Sequence, residues 1–301
     1  MKSVTALLAS SLPLLLATLA AAAEPDLANT PFKVVPVAGS VSMLQGPGGN
    51  IGVLAGPDGV IMIDDGYAGS AAQIEKALKS VSDRPLRFIF NTHRHDDHTG
   101  GNAFFQQQAP VIAQTNVRTR LAAGVSLPNY SEPPAKPEAL PQLTFDDRVT
   151  LHLNGEEIRI WHLPAAHTDG DCVVWFVHAN VIHMGDLFVT YGFPFIDLDS
   201  GGHVKGMIAA IEHVLAAVPA DVKVIPGHGG ICTVADMKDF RAMLQGTTAR
   251  VEAGIAAGKT LKQLQEEKAL AGFEKWGGPV AAEKFIEFLY RDLTSPAQPK
   301  P

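Results

Sequence analysis

The chain has 301 residues, 46% of them hydrophobic and 18% charged, with a formal net charge of −7. This composition excludes a disordered chain and supplies material for one large globular domain or two small ones. The acid excess argues against a nucleic-acid-binding surface, which needs a basic patch to meet phosphates.

Residues 1–23, MKSVTALLASSLPLLLATLAAAA, carry one Lys at position 2, an apolar stretch around Leu7 to Leu19, and Ala21 and Ala23 at the small positions before a cut. That layout is read as a cleaved secretory signal. A retained membrane anchor is the competing reading, but Ser10, Ser11, Pro13 and Thr18 interrupt the stretch. Cleavage before Glu24 removes Lys2 and no acid, leaves a charge of −8, and predicts a periplasmic or secreted protein without stable membrane insertion. In such a compartment Cys172 and Cys232 are allowed a disulfide that their number alone does not establish. Cys172 opens CVVWFV, the pattern of a buried strand and of a core thiol.

After a short polar stretch, SVSML, NIGVLAG and GVIMIDDG read as successive strands parted by Gly, Pro and Asn. Ser70 to Val81 has helical spacing, with Ile74, Ala77, Leu78 and Val81 on one face. LRFIFNT follows as a strand, then a helix from Asn102, a strand at 110–113 and a helix to Ala123. Residues 125–142, with Pro128, Pro133, Pro134, Pro137 and Pro141, read as a long surface loop. Strands are expected at 143–153 and 157–163, joined through Asn154-Gly155, and at 171–178 and 181–184, joined through Ala179-Asn180. A helix at 204–218, a strand at 222–225, a helix at 233–255 and a helical tail over about 255–295 complete the chain, the tail docking through Phe285, Ile286, Phe288 and Leu289. A sheet-then-helix unit used twice predicts two sheets face to face with helices on both outer sides.

Four loops that follow apolar strands begin with a metal-capable residue: LRFIFNT leads to His93, IRIWHLPAA to His167, VIHMG to Asp186 and VKVIPG to His228. Ligand sites collect at strand ends because strands fix the backbone while loops present side chains. Within NTHRHDDHTGG, His93 and His95 alternate toward one side of an extended segment, and Asp97 and His98 follow once the chain has turned. One loop can thus serve two neighbouring ions: His93, His95 and His167 for one, Asp97, His98 and His228 for the other, with Asp186 bridging. Imidazoles with a few carboxylates favour zinc, and three protein ligands per ion leave an open position for water.

His93-x-His95-x-Asp97-His98, followed by His167, Asp186 and His228, resembles the metallo-β-lactamase superfamily over about residues 33–250. The resemblance implies an α/β fold, a four-layer αββα sandwich of two mixed β-sheets with helices on the outer faces, formed by a hydrolase domain over residues 24–301. It implies two Zn²⁺ per chain and hydrolytic chemistry on a small-molecule substrate. An iron-binding redox branch usually has an acid where His95 stands, which favours zinc. Two Zn²⁺, offset by Asp97, Asp186 and a bridging hydroxide, leave about one positive charge to stabilise an anionic tetrahedral intermediate, and a metal-held water ionises near pH ~7. The expected nucleophile is that hydroxide attacking a carbonyl, with Asp97 as orienter and proton carrier.

Tyr191 is a candidate for contacting a substrate carbonyl or its anion, and His203 and Lys205 for binding substrate. Packing or surface roles compete for all three, as they do for the remaining histidines. Asp64 and Asp65 fit a role orienting a ligand histidine, with solvated turn acids as the alternative. Arg94 and Asp96 are expected to point away from the metal side, as an ion pair or solvated. Export and the NTHxHxDHTGGN string favour opening of a β-lactam or related cyclic amide. Asp186, where secreted lactamases usually place Cys or Ser, is similar to the lactonase and glyoxalase-II-type thioesterase branches and makes those the alternative. A metal-bound binding protein without turnover is a third reading, and a nuclease is disfavoured by the leader and the acid excess.

Overall fold

The computed structural model describes residues 26–127, 130–163 and 165–295; the expected signal segment lies outside them. In chain order the first half contains β1 (Lys33–Ala38), β2 (Val41–Gln45), β3 (Ile51–Gly56), β4 (Gly59–Ile63), α1 (Ala71–Val81), β5 (Leu86–Phe90), α2 (Asp96–Thr99), α3 (Asn102–Phe105), β6 (Val111–Gln114), α4 (Thr115–Ala123), β7 (Val125–Leu127), β8 (Tyr130–Glu132) and β9 (Leu143–Phe145). The second half contains β10 (Arg148–Leu153), β11 (Glu156–His162), β12 (Cys172–Phe176), β13 (Val181–His183), α5 (Val204–Ala217), β14 (Lys223–Ile225), α6 (Val234–Ala256), α7 (Leu261–Glu266) and α8 (Ala282–Thr294).

Two mixed sheets form the centre. The seven-stranded sheet runs β1-β2-β3-β4-β5-β6-β9 and the five-stranded sheet β10-β11-β12-β13-β14. In the first, β1 to β4 pair antiparallel and β4, β5, β6 and β9 pair parallel; in the second only β13 and β14 pair parallel. Side chains alternate across a strand, and β4 shows the consequence. Ile61 and Ile63 enter the layer between the sheets with Ile158, Val174 and Phe176, while Val60 and Met62 face outward beneath Ile74 and Leu78 of α1. On the other outer face Val173, Trp175 and Ile182 pack under Met207 and Ile211 of α5, Met237 and Phe240 of α6, and Phe285 and Leu289 of α8. This is the expected αββα sandwich.

Several local expectations are corrected. Lys33–Ala38 is a strand, paired with β2, although Pro36 interrupts the alternation that would have marked it. The stretch 143–153 is two strands: β9 extends the first sheet beside β6, and after Asp146-Asp147 β10 begins the second. The Pro-rich loop contains a small hairpin, β7 with β8. The helix from Asn102 is a single turn, and the tail is helical only at 261–266 and 282–294 apart from one short 3-10 turn. Its docking face is Phe285, Ile286, Phe288 and Leu289, as expected. Cys172 and Cys232 are both free thiols. Among the described residues no helix is long and apolar enough to cross a membrane.

Candidate metal centre

The parallel strands β4 and β5, and β13 and β14, deliver their following loops to one edge of the sandwich. The loop after β5 runs extended through His95 (φ −64°, ψ 146°) and then enters α2, which carries Asp97 and His98. Asp186 sits on a 3-10 turn, Gly185–Leu187, just beyond β13. The turn after β14 brings His228 against it.

In the first cluster, His93 Nε2 lies 3.1 Å and His167 Nε2 3.0 Å from His95 Nδ1. The far nitrogens identify the tautomers. His95 Nε2 donates to Asp197 Oδ2 at 2.9 Å and His167 Nδ1 donates to the Phe195 carbonyl at 2.9 Å. The Thr92 hydroxyl donates to Asp64 Oδ2, so at 3.0 Å it accepts from His93 Nδ1. Three imidazole lone pairs therefore converge, and lone pairs have nothing to give one another. A divalent cation satisfies all three at once.

The second cluster is carboxylate-rich. His98 Nε2 lies 3.5 Å from Asp97 Oδ2 and 3.3 Å from Asp186 Oδ1; His228 Nε2 lies 3.2 Å from Asp97 Oδ2 and 3.4 Å from Asp186 Oδ2. Asp186 Oδ2 also stands 3.8 Å from His167 Nε2, so Asp186 adjoins both clusters. His98 Nε2 and Asp186 Oδ1 are buried without a hydrogen-bond partner, an arrangement that costs free energy unless something else meets them. Three donor groups, His93-His95-His167, His93-His98-Asp186 and Asp97-His98-His228, each lie close enough to hold a metal ion. The donor set fits a pair of neighbouring divalent ions.

The electrostatics differ between the clusters. Burial, reinforced by His95, lowers His167 to about 4, and burial together with His98 and His95 holds His93 well below the usual imidazole range. Burial pulls His228 the same way, but Asp186 and Asp97 outweigh it and raise it to about 9. Against burial, Asp97, Asp186 and Asp64 likewise hold His98 well above its ordinary value. Burial raises the Asp186 carboxyl, yet His228 and His98 prevail and keep it well below the carboxylate range.

A framework of buried hydrogen bonds fixes these groups. Asp64 accepts from the Thr92 amide (2.7 Å), the Thr92 hydroxyl (2.8 Å) and His98 Nδ1 (2.8 Å), the orienting role expected for it. Asp65 is buried beside it, its carboxyl raised first by burial and then by Asp64, and its side-chain oxygens make no hydrogen bond to a ligand histidine. Asp171 accepts from the amides of His167 (2.6 Å) and Thr168 (2.8 Å) and fixes that turn. His183 donates through Nε2 to the Asn50 carbonyl (3.0 Å) and accepts from the Gly185 amide (3.2 Å), while Asn50 Nδ2 donates to the carbonyls of Pro226 and Gly229 (both 2.9 Å). Asn50 and His183 thereby tie the Asp186 turn to the His228 turn. Sequence reasoning missed both, along with Asp197, because each acts through a partner far along the chain; it also missed Asp171, whose partners are the nearby backbone amides of His167 and Thr168.

A cavity of about 970 Å³ opens over the clusters, lined on its floor by His95, Asp97, Asp186 and His228. Tyr191 lines it too; its ring packs edge-on against His228 (5.5 Å between centroids), its hydroxyl accepts from the Phe195 amide at 3.5 Å, and burial followed by Asp186 raises its pKa. His203 and Lys205 are not brought to the cavity. His203 Nδ1 donates to Asp292 Oδ2 (2.7 Å) at the start of α5, and Lys205 pairs with Glu252 (2.6 Å). The expected substrate contacts from these two are thus replaced by helix-to-helix ties. Arg94 is buried and pairs with Glu132 of β8 and with Asp197 (3.5 Å), anchoring the hairpin to the site. Of the two expectations, an ion pair with Asp96 or solvation, Arg94 meets neither, while Asp96 is exposed.

The family model of the metallo-beta-lactamase superfamily matches residues 44–235. The chain is 26% identical over 162 residues to the metallo-beta-lactamase type 2 of Bacteroides fragilis, covering 52% of this chain and 60% of that protein, so it spans less than two thirds of that relative. It is 26% identical over 204 residues to a probable hydroxyacylglutathione hydrolase of Schizosaccharomyces pombe, covering 65% of this chain and 69% of that protein. Among solved structures, a metallo-beta-lactamase from Pontibacter korlensis superposes with a TM-score of 0.61 at 20% identity, over 71% of this chain and 99% of that one. The sec-alkylsulfatase Pisa1 from Pseudomonas sp. gives 0.65 at 15% identity, over 86% and 50%. At such identities the structural likeness establishes the fold alone.

Proposed function

The chain belongs to the metallo-β-lactamase superfamily, and from that premise we propose that it is a zinc-dependent hydrolase of a small molecule, holding two zinc ions and cleaving an acyl bond at a carbonyl. The observation that carries this reading is the convergence of His93 Nε2, His95 Nδ1 and His167 Nε2 beside the Asp97-His98-His228 cluster at the floor of one cavity. Zinc bound there supplies a Lewis acid and makes water a nucleophile at neutral pH.

The protein's own groups do the rest. Asp97 is held in its charged form by His98 and His228 against the opposing effect of burial, so at neutral pH it is ionised and free to orient a water; the role of accepting that water's proton is part of the proposal. Tyr191, with its pKa raised, stays protonated and keeps a hydrogen to donate toward a developing oxyanion. Asp64, Asp197 and the Phe195 carbonyl hold the imidazoles in one tautomer, Asp171 fixes the His167 turn, and the reaction is spared that reorganisation. Asp97→Asn retaining full turnover with both zincs bound removes the proton-carrying role.

We take a β-lactam or related cyclic amide as the first substrate class. The second reading, a thioester or lactone, is favoured by Asp186 at the junction of the clusters and by the hydroxyacylglutathione hydrolase likeness. In either case the substrate is a small molecule rather than a nucleic acid, met in the periplasm or outside the cell after leader cleavage. Zinc-loaded protein assayed against a chromogenic cephalosporin, a lactone and an acyl thioester tests this: hydrolysis of at least one, abolished by a chelator and restored by zinc, is expected, and hydrolysis of none contradicts it.

A further inference from the structure

Phe195 is among the few large apolar side chains of the described residues that remain more than a third exposed, at 38%. Its exposed ring is at the metal centre. The centroid lies 5.8 Å from that of His95 and 6.1 Å from that of His167, and its edge meets Phe288 of α8 at 5.3 Å. Phe288, Ile196 and Leu198 continue the same cavity wall, and Val125 of the β7-β8 hairpin faces the cavity as well. The cations beside this wall are engaged. Lys284 lies over the Phe288 ring (5.2 Å) and pairs with Glu287 (3.0 Å), and Arg291 is near Asp199 (3.8 Å) and Glu287 (4.0 Å). The wall therefore offers hydrocarbon surface, and its cations are already neutralised by neighbouring acids. Phe288 also lies outside residues 44–235, the span matched by the family model, so this part of the pocket is built by the chain's own C-terminal helix.

We propose that Phe195 and Phe288, with Ile196 and Leu198, form an apolar subsite that seats the hydrophobic acyl or ring portion of the substrate directly beside the scissile carbonyl. The proposal rests on the hydrolase reading for its orientation, since a substrate whose carbonyl faces the clusters has Phe195 within reach of its adjoining substituent. It makes Phe195 the specificity-determining residue, with the buried Phe288 backing its ring: a short polar acyl group leaves the Phe195 face wet, and a longer alkyl or aryl group covers it.

The test uses binding as well as turnover. Zinc-loaded full-length protein is titrated by calorimetry with a series of straight-chain hydroxamic acids, from acetyl through butyryl and hexanoyl to octanoyl, each offering the same metal-binding head. A fully buried methylene tightens binding about three- to fourfold, so a gain on the order of 100-fold from acetyl to octanoyl is expected with partial burial. In Phe195→Ala that ratio is expected to fall about tenfold, and in Phe195→Leu to recover in part. Because the ratio is taken within each protein, a change in the fraction folded or metal-loaded cancels. Phe288→Ala is a weaker probe, since that ring also packs in the core. A flat series, an unchanged ratio in Phe195→Ala, or no binding by any member overturns the subsite. A preserved chain-length gain together with no hydrolysis of lactam, lactone or thioester overturns only the hydrolase reading and leaves the subsite standing.

Discussion

Asp197 sets Oδ2 2.9 Å from Nε2 of His95, so a carboxylate stands behind an imidazole whose opposite nitrogen faces His93 and His167. Burial works against that carboxylate, but His95 and Ser200 outweigh it and hold the group below the usual carboxylate range. Asp197 thus keeps its charge at neutral pH, and the His95 tautomer is maintained. A carboxylate behind a ligand histidine is typically worth about 10–100-fold in metal affinity. Asp197→Ala is therefore expected to weaken zinc binding by about that factor, and Asp197→Asn by less, because the amide oxygen still accepts from Nε2. Competition against a chelating dye measures the change. Equal affinity in Asp197→Ala and the parent protein would remove Asp197 from the site.

Gly227 is required by space. A methyl group on its α-carbon would lie 2.0 Å from Asp186 Oδ1 and 2.7 Å from the Gly185 backbone, and the Gly227 amide already donates to the carbonyls of Gly185 and Phe188 (both 2.9 Å). Gly227→Ala must displace the Asp186 carboxylate, and a misplacement of about 1 Å at a reacting site costs on the order of 100-fold in rate. The expected variant is folded, deficient in zinc and at least that much slower. Elemental analysis beside a circular dichroism melt distinguishes this from unfolding, and a variant with full zinc content and full activity contradicts the packing described.

The two clusters are expected to respond differently to pH. His167, lowered to about 4 by burial and His95, is neutral throughout pH 5–8, so it gives up no proton on accepting a metal. His228 is raised to about 9 in the metal-free protein, Asp186 and Asp97 outweighing burial, and is protonated at pH 7; a cation must displace that proton. Zinc affinity at the Asp97-His98-His228 cluster should accordingly fall as pH drops below about 9, while His167 adds no pH dependence to its own cluster between pH 5 and 8. Calorimetric zinc titrations in buffers of different ionisation enthalpy count the protons released: fewer from the three-histidine cluster than from the second, which releases about one or more at pH 7. Equal proton release from both clusters contradicts the assignment.

The sequence made the groups that approach the ions readable, because they lie in a short motif or directly after apolar strands whose residues carry their own pattern. His93, His95, Asp97, His98, His167, Asp186 and His228 all meet at one sheet edge for that reason. Asp64 was legible in part, since an acid ending a buried strand beside that edge has few other uses. What holds the ligands was not legible. Asp197 lies 102 residues from His95, and the hydrogen bond from His183 to Asn50 crosses 133 residues; a pair that far apart leaves no periodic trace. The fold followed the same rule. The alternation of GVIMI and the helical spacing of 70–81 are local signals, whereas the passage of the chain between sheets at Asp146-Asp147 depends on which neighbours β9 and β10 find. His203, which ends the Asp186 loop, and Lys205, a cation for a substrate carboxylate, were expected at the substrate, yet they lie outside the cavity lining with Asp292 and Glu252 as partners.

The most direct test is the zinc content of the full-length protein, measured by elemental analysis after zinc loading and removal of excess metal by gel filtration. The account predicts two zinc ions per chain in the parent protein, falling to about one when His228 and Asp97 are both replaced by Ala. Less than one zinc per chain in the parent, or the same content in the double variant, would contradict it.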